Sequence, residues 1–181
     1  MGNAWNHFCT ITRHRRLVRK GCFSIGLYWQ GLTHDLSKFS PSEFRVGARY
    51  FQGDRSPNNA EREDIGYSSA WLHHKGRNKH HYEYWIDYNS HYRKGNSEIM
   101  VPVPMPDKYI AEMLMDRIAA SKVYRGKAYT DKDPLDYYYL GTHEAPLHEY
   151  TRSKLLMYLE MLAEKGEKET YKAIKKELVK K

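Results

Sequence analysis

Thr33-His34-Asp35-Leu36-Ser37-Lys38-Phe39-Ser40-Pro41-Ser42-Glu43-Phe44 separates two helices and puts an imidazole and a carboxylate side by side at the break. Ser40-Pro41-Ser42-Glu43 has the form of a capping box with proline at the first helical position. A helix is expected to start there and run through Phe44, Val46 and Tyr50 to about Gln52. Before the break, Phe23 to Leu36 reads as a helix ending near Ser37, and Phe8, Ile11, Leu17 and Val18 mark an earlier one.

Helix signals continue outward from this point. Gly53 to Asn59 reads as a loop, and 60–75 and 79–88 read as two helical pieces separated by Gly76-Arg77-Asn78. The stretch 89–105, with Gly95, Pro102 and Pro104, is an irregular connection. Pro106-Asp107 opens a helix through Ile110, Leu114 and Ile118 to about Tyr124, and Asp133-Pro134 opens a short one. Leu155, Tyr158, Leu159 and Leu162 form the stripe of an amphipathic helix that stops near Gly166, before a lysine-rich last helix. No run of alternating strands and no repeat is visible. The expected fold is all-α: one bundle of about seven or eight helices over 1–164, with 165–181 as a basic helix or tail.

The chain has 181 residues, 40% hydrophobic and 29% charged, which suits one globular domain. Its start lacks the apolar run of a signal peptide, no stretch is long enough to span a bilayer, and only Cys9 and Cys22 occur. A cytoplasmic protein without a disulfide framework or a membrane partner is expected. The net charge of +8 hints at nucleic acid, but +5 of it lies in residues 1–20 and +4 in 165–181, leaving −1 for the centre. The ten histidines are the stronger anomaly, because they gather in pairs.

Imidazole and carboxylate are ligands for divalent transition metals. His14, His34-Asp35, His73-His74, His80-His81 and Asp116 are the candidates. Helical neighbours diverge by about 100°, so His34 and Asp35 can share a site only where the helix ends. Asp116 stands in the apolar and small stretch Met113 to Ala120, where a buried carboxylate needs a partner. Glu112 lies one turn earlier on the same face, placed to orient a ligand or handle a proton.

A His on one helix, a His-Asp doublet ending the next and a later Asp resemble the ligand order of the HD-domain superfamily of metal-dependent phosphohydrolases. More narrowly, His34 to Phe44, Ala70-Trp71-Leu72-His73-His74, Asn78 to His81 and Tyr84-Trp85 resemble a small bacterial and phage family without an assigned function. The likeness covers about residues 10–125. It implies His14, His34, Asp35 and Asp116 as a basic ligand set, with His7 an alternative to His14. One His from each later pair would complete a second metal, bridged to the first by Asp35. Trp71 and Leu72, expected in the core, favour His74 and His81. The interval between the pairs is shorter than in two-metal members, so one pair is alternatively structural or a substrate contact. Lys38 and Arg77 would meet phosphate oxygens. The function implied is hydrolysis of a nucleotide or other small phosphate ester, with one or two divalent ions as cofactor.

Plainer readings compete. Lysines after helix ends are mostly solvated, and Trp71, Trp85 and most tyrosines are expected to build core. His91, His143 and His148 carry no expected role. Two other functions are a di-iron oxygenase on the same ligands and a nucleic-acid-binding protein whose basic ends contact phosphates.

Overall fold

The computed structural model describes residues 2–95 and 98–179; Lys180 and Lys181 of the basic end and Asn96 and Ser97 of the irregular connection lie outside it. Among the described residues, eight α-helices make the architecture all-α. They are α1 Asn3–Ser24, α2 Tyr28–Thr33, α3 Pro41–Arg49, α4 Pro57–Ile65, α5 Ser69–Lys75, α6 Asp107–Arg125, α7 Asp133–Tyr139 and α8 Glu149–Val179.

The core is built on α6, buried at nine positions along its length. Ile110, Leu114 and Ile118 of α6 share one cluster with Val18 and Cys22 of α1 and Leu155, Leu159 and Leu162 of α8. Helix α1 comes close to α6 at Gly21, where an added Cβ would sit 2.5 Å from Met115 Sδ. This crossing fixes where His14 and Asp116, one on each helix, meet.

Four boundaries differ from the sequence expectation, and each has a local cause. Phe23 belongs to α1, and the chain turns at Gly26 (φ +86°), leaving α2 only six residues. The expected 60–75 helix is two helices, parted where Gly66 (φ +83°) terminates α4, and α4 itself starts three residues early, at Pro57. Glycine takes these left-handed angles without a Cβ penalty, and each acts as a helix stop. The third correction concerns 79–88, expected helical. A 3₁₀ turn at Tyr82–Trp85 leads into strand β1, Ile86–Tyr88, which pairs antiparallel with β2, Met100–Pro102. Three-residue strands are too short to show an alternation. Finally, the capping box does not close: the Ser40 side chain makes no cap hydrogen bond, and the Glu43 carboxylate that would reach back to it is engaged by His73 and His74. The N-terminus of α5 is capped instead, by Ser68 Oγ accepting from Trp71 N at 3.1 Å.

Helix α8 breaks its dihedrals at Gly166 (φ 75°, ψ 174°), where the apolar stripe was expected to stop. The segment beyond folds onto the bundle: Ile174 is fully buried, and Tyr158 Oη donates to Glu177 Oε2 at 2.7 Å. Lys154 Nζ ties the same corner together, 2.8 Å from Asp107 Oδ2 and paired with Glu177. A backbone at these angles is nearly exclusive to glycine. Gly166→Ala is therefore expected to cost about 1–3 kcal/mol in chemical denaturation; an unchanged midpoint would show the bend to be soft.

Candidate metal centre

Helix α2 ends on His34, and Asp35 next to it takes a left-handed backbone (φ 52°), the one non-glycine residue among those described to do so. Asp tolerates this region better than most side chains. The reversal cancels the divergence a helix would impose, so both side chains face inward. Arg15 clamps the break: its Nε donates to His34 O at 2.7 Å and its Nη2 to Leu32 O at 3.1 Å.

Three groups of ligand atoms result among the described residues, each with all atoms within 4.8 Å of one another: two share Asp35, and the third, His34, His80 and Glu112, takes one histidine from each of those two. The first is His14, His34, Asp35 and Asp116. His14 Nε2 lies 2.9 Å from Asp116 Oδ1, and His34 Nε2 lies 3.3 Å from Asp35 Oδ2 and 3.5 Å from Asp116 Oδ1. The second is Asp35, His74, His80 and His81. Here Asp35 turns its other oxygen, Oδ1, to His74 Nε2 at 3.2 Å and His80 Nε2 at 3.4 Å, with His81 Nε2 2.9 Å from His74 Nε2. One carboxylate thus faces both groups.

The carboxylates behind the ligands set which ring nitrogen is free. Glu112 Oε1 lies 2.9 Å from His34 Nδ1 and 3.2 Å from His80 Nδ1, reaching one histidine of each group. Glu43 Oε2 lies 2.7 Å from His74 Nδ1. A proton held at Nδ1 by a carboxylate leaves the Nε2 lone pair for a metal.

At His34 and His80 that nitrogen has no hydrogen-bond partner. His14 Nε2, His34 Nε2, His80 Nε2 and both Asp35 oxygens are buried and make no hydrogen bond. Lys38 Nζ lies 2.6 Å from Asp35 Oδ2, an ion-pair contact rather than an aligned hydrogen bond. Buried polar atoms are nearly always partnered, so five converging orphans are a cavity in the chemistry that a cation fits. Mixed imidazole and carboxylate donors without thiolate suit Mn, Fe, Co, Ni or Zn.

The electrostatics are those of a site in need of positive charge. Burial alone would drive His34 toward neutrality, yet the carboxylates of Asp35, Asp116 and Glu112 hold its pKa well above the usual histidine value, so without a cation the ring keeps a second proton that metal binding would displace. Asp116 resists burial in turn and stays well below the ordinary carboxylate range because of His14 and His34. Burial and the neighbouring His80 and His74 keep His81 well below the usual value, as a neutral ligand must be.

Other candidates from the sequence land elsewhere. His73 joins neither group; its Nδ1 lies 2.6 Å from Glu43 Oε1. Arg77 is exposed, and its Nη1 donates to His73 O at 3.3 Å, so it caps a helix end rather than facing the cavity. Leu72 is 54% exposed and Trp71 half-buried, so neither enters the core; Trp71 packs its ring on His74 and His81 instead. Trp85 does pack against the core. His7 is buried against Phe44 and Phe51 outside both groups, in space that Gly47 leaves free. Glu43, read from sequence as a cap, was missed as a histidine partner.

A cavity of about 770 Å³ opens over the two groups, with His14, Lys38, His74, His80, His81 and Asp116 on its walls. Arg55, Arg62, Arg117 and Arg125 also line it, beside Asp54, Glu83, Asp133 and Asp136, so its charge is mixed. Fold and site together define an all-α protein with a buried histidine–carboxylate centre of metal-binding geometry under a cavity of mixed charge. By sequence, residues 3–161 match the family of unknown function DUF5662, and the chain belongs to it. That span contains every residue of the two groups. No curated protein and no solved structure matches the chain.

Proposed function

We propose that the protein is a metal-dependent phosphohydrolase acting on a nucleotide or another small phosphate ester. The observation that carries this reading is the single Asp35 carboxylate facing two ligand groups at the base of a cavity whose wall includes Lys38. The HD-domain resemblance in ligand order supports it. Divalent ions in such ligands lower the pKa of bound water toward neutrality and polarise a phosphoryl oxygen. His14, His34, Asp35 and Asp116 would hold one ion, and Asp35, His74, His80 and His81 the other.

The chain's own residues supply the remainder. Lys38, whose pKa is pushed up against burial by the Asp35 and Asp116 carboxylates, keeps its charge at any physiological pH and attracts a phosphate oxygen. Glu112 and Glu43 fix the imidazole rings, and the apolar packing beneath them excludes bulk water.

The experiment is metal analysis of the purified protein followed by phosphate release from a panel of nucleotides and sugar phosphates. Two ions per chain and hydrolysis that chelation abolishes are expected. A fully loaded protein that releases no phosphate from the whole panel would overturn the reading. Iron-dependent oxygen consumption by that loaded protein would assign the same ligands to a di-iron oxygenase instead.

A further inference from the structure

The large apolar side chains that α1 and α2 leave outside the core share one face, away from the cavity. Trp5, Phe8, Arg16, Arg19 and Phe23 recur along α1 at intervals of three, four or eight residues, which puts them on one side of the helix, and all are exposed. Helix α2 packs beside them: an added Cβ at Gly31 would meet Cys22 and Phe23 at 3.0 Å, and the Phe23 and Tyr28 rings lie 5.2 Å apart. With Gly31 against α1, its neighbours turn outward, and Trp29 is 73% and Leu32 50% exposed. At the other end Trp5 stacks on Phe8 at 5.6 Å, and Phe8 packs on Phe39 at 5.9 Å. The Arg15 guanidinium covers Phe39 at 5.3 Å and bonds Leu32 O, joining the two ends. None of these residues lines the cavity.

The charge around this face has one sign. Residues 2–53 contain only two acids, Asp35 and Glu43, which are 0% and 5% exposed and turned inward to the histidines. The exposed charges of the same segment are Arg13, Arg16, Arg19, Lys20, Arg45 and Arg49. Contiguous exposed apolar surface marks an interaction site, and this one asks for a partner that is both apolar and anionic. A second copy would set positive charge against positive charge. A nucleic acid would use the rings and the arginines but gain nothing from Leu32 and Leu36, which cannot stack a base. An anionic bilayer surface uses all three kinds of side chain. Trp and Tyr settle at the headgroup level, leucines reach the acyl boundary, and Arg and Lys meet lipid phosphates.

We infer that this face of α1 and α2 docks the protein on a bilayer surface rich in anionic lipid, with Trp5, Trp29 and Leu32 entering the headgroup layer and Arg16 and Arg19 meeting its phosphates. Among the described residues no helix is long and apolar enough to cross a membrane. That was the ground for expecting no membrane partner, and it does not bear on a face that lies on one. The cavity is lined by the other side of α1, at His7, Ile11 and His14, so docking leaves it uncovered.

Co-sedimentation of the full chain with vesicles tests it, using phosphatidylcholine alone and phosphatidylcholine mixed with phosphatidylglycerol. The mixed vesicles are expected to bind the protein about tenfold or more tightly than the neutral ones, with a blue shift of tryptophan emission and a loss as salt rises. Trp29→Ser combined with Leu32→Ser should weaken that binding about tenfold or more by removing the inserted surface. Arg16→Glu combined with Arg19→Glu should do the same by reversing the charge. All four side chains are exposed, so circular dichroism and metal content are expected to match the wild type for both pairs. Equal binding to the two kinds of vesicle, or wild-type binding by either pair, would overturn the inference. So would tighter binding to single-stranded DNA than to vesicles, which would make the face a nucleic-acid site, or self-association without vesicle binding, which would make it a dimer interface. Phosphate release enters none of these readouts, so the hydrolase reading and the docking face stand or fall separately.

Discussion

Asp35→Asn is expected to empty both ligand groups at once while leaving the helical content unchanged. The substitution removes the one charge that faces both groups, Oδ2 toward His34 and Oδ1 toward His74 and His80. It does not disturb the backbone, because Asn is the other common occupant of the left-handed region that Asp35 adopts at φ 52°. Activity should fall by about a thousandfold or more, the scale on which metal-supplied stabilisation of an oxyanion is lost. Elemental analysis and circular dichroism together check this. A variant that keeps two ions per chain would show that Asp35 is not the shared ligand. His14→Ala, by contrast, touches only the first group and should leave the second ion bound.

The next largest effect belongs to Glu112→Gln. One carboxylate oxygen serves His34 Nδ1 and His80 Nδ1, and those rings belong to different ligand groups. An amide in its place can still offer one oxygen to both rings, but it lacks the negative charge that makes them stronger donors to a metal. Weakening such a partner behind a metal-bound imidazole lowers affinity about 10–100-fold. Because the one charge serves a ring of each group, both metal affinities should drop in one titration. A fall confined to one ion would mean that Glu112 supports one ring only. The burial of Glu112, 5% exposed, adds a pH dimension. Burial pushes its pKa up, but His34 and His80 bring it below the ordinary glutamate value. Its stabilising effect on the fold is therefore complete above the ordinary value, near 4.5, and fades as pH falls through the lowered one. Glu112→Gln should flatten that acid limb of the stability profile.

The sequence was most readable where chemistry and local environment disagreed. Asp116 in an apolar stretch and His34-Asp35 at a helix end stand out because a buried carboxylate or a paired ligand demands an explanation. Long periodic helices such as α6 and the first part of α8 were legible for the usual reason, an uninterrupted apolar stripe. Glu43 was misread because the same Ser-Pro-Ser-Glu string fits a capping box, and only the approach of α5 shows that its carboxylate serves His73 and His74 instead. Trp71 was assigned to the core on size; the cavity above α5 is a tertiary feature that no local pattern announces. The choice within each His pair was illegible for a related reason. His80 and His81 follow a turn rather than a regular helix, so both rings reach one group.

The basic N-terminal segment also changes meaning. Arg15 is committed to the carbonyls that end α2, so part of the charge that suggested nucleic acid is structural.

The left-handed backbone at Asp35 has a consequence for lineages as well as for chemistry. Position 35 must satisfy a dihedral constraint that survives even after the carboxylate has lost its purpose, since the turn between α2 and α3 depends on it. A descendant that abandoned its metals would drift freely at His74 or His81, yet at position 35 it would settle on Asn or Gly, not on Val or Ile. The backbone would then preserve the outline of a site whose occupants had gone.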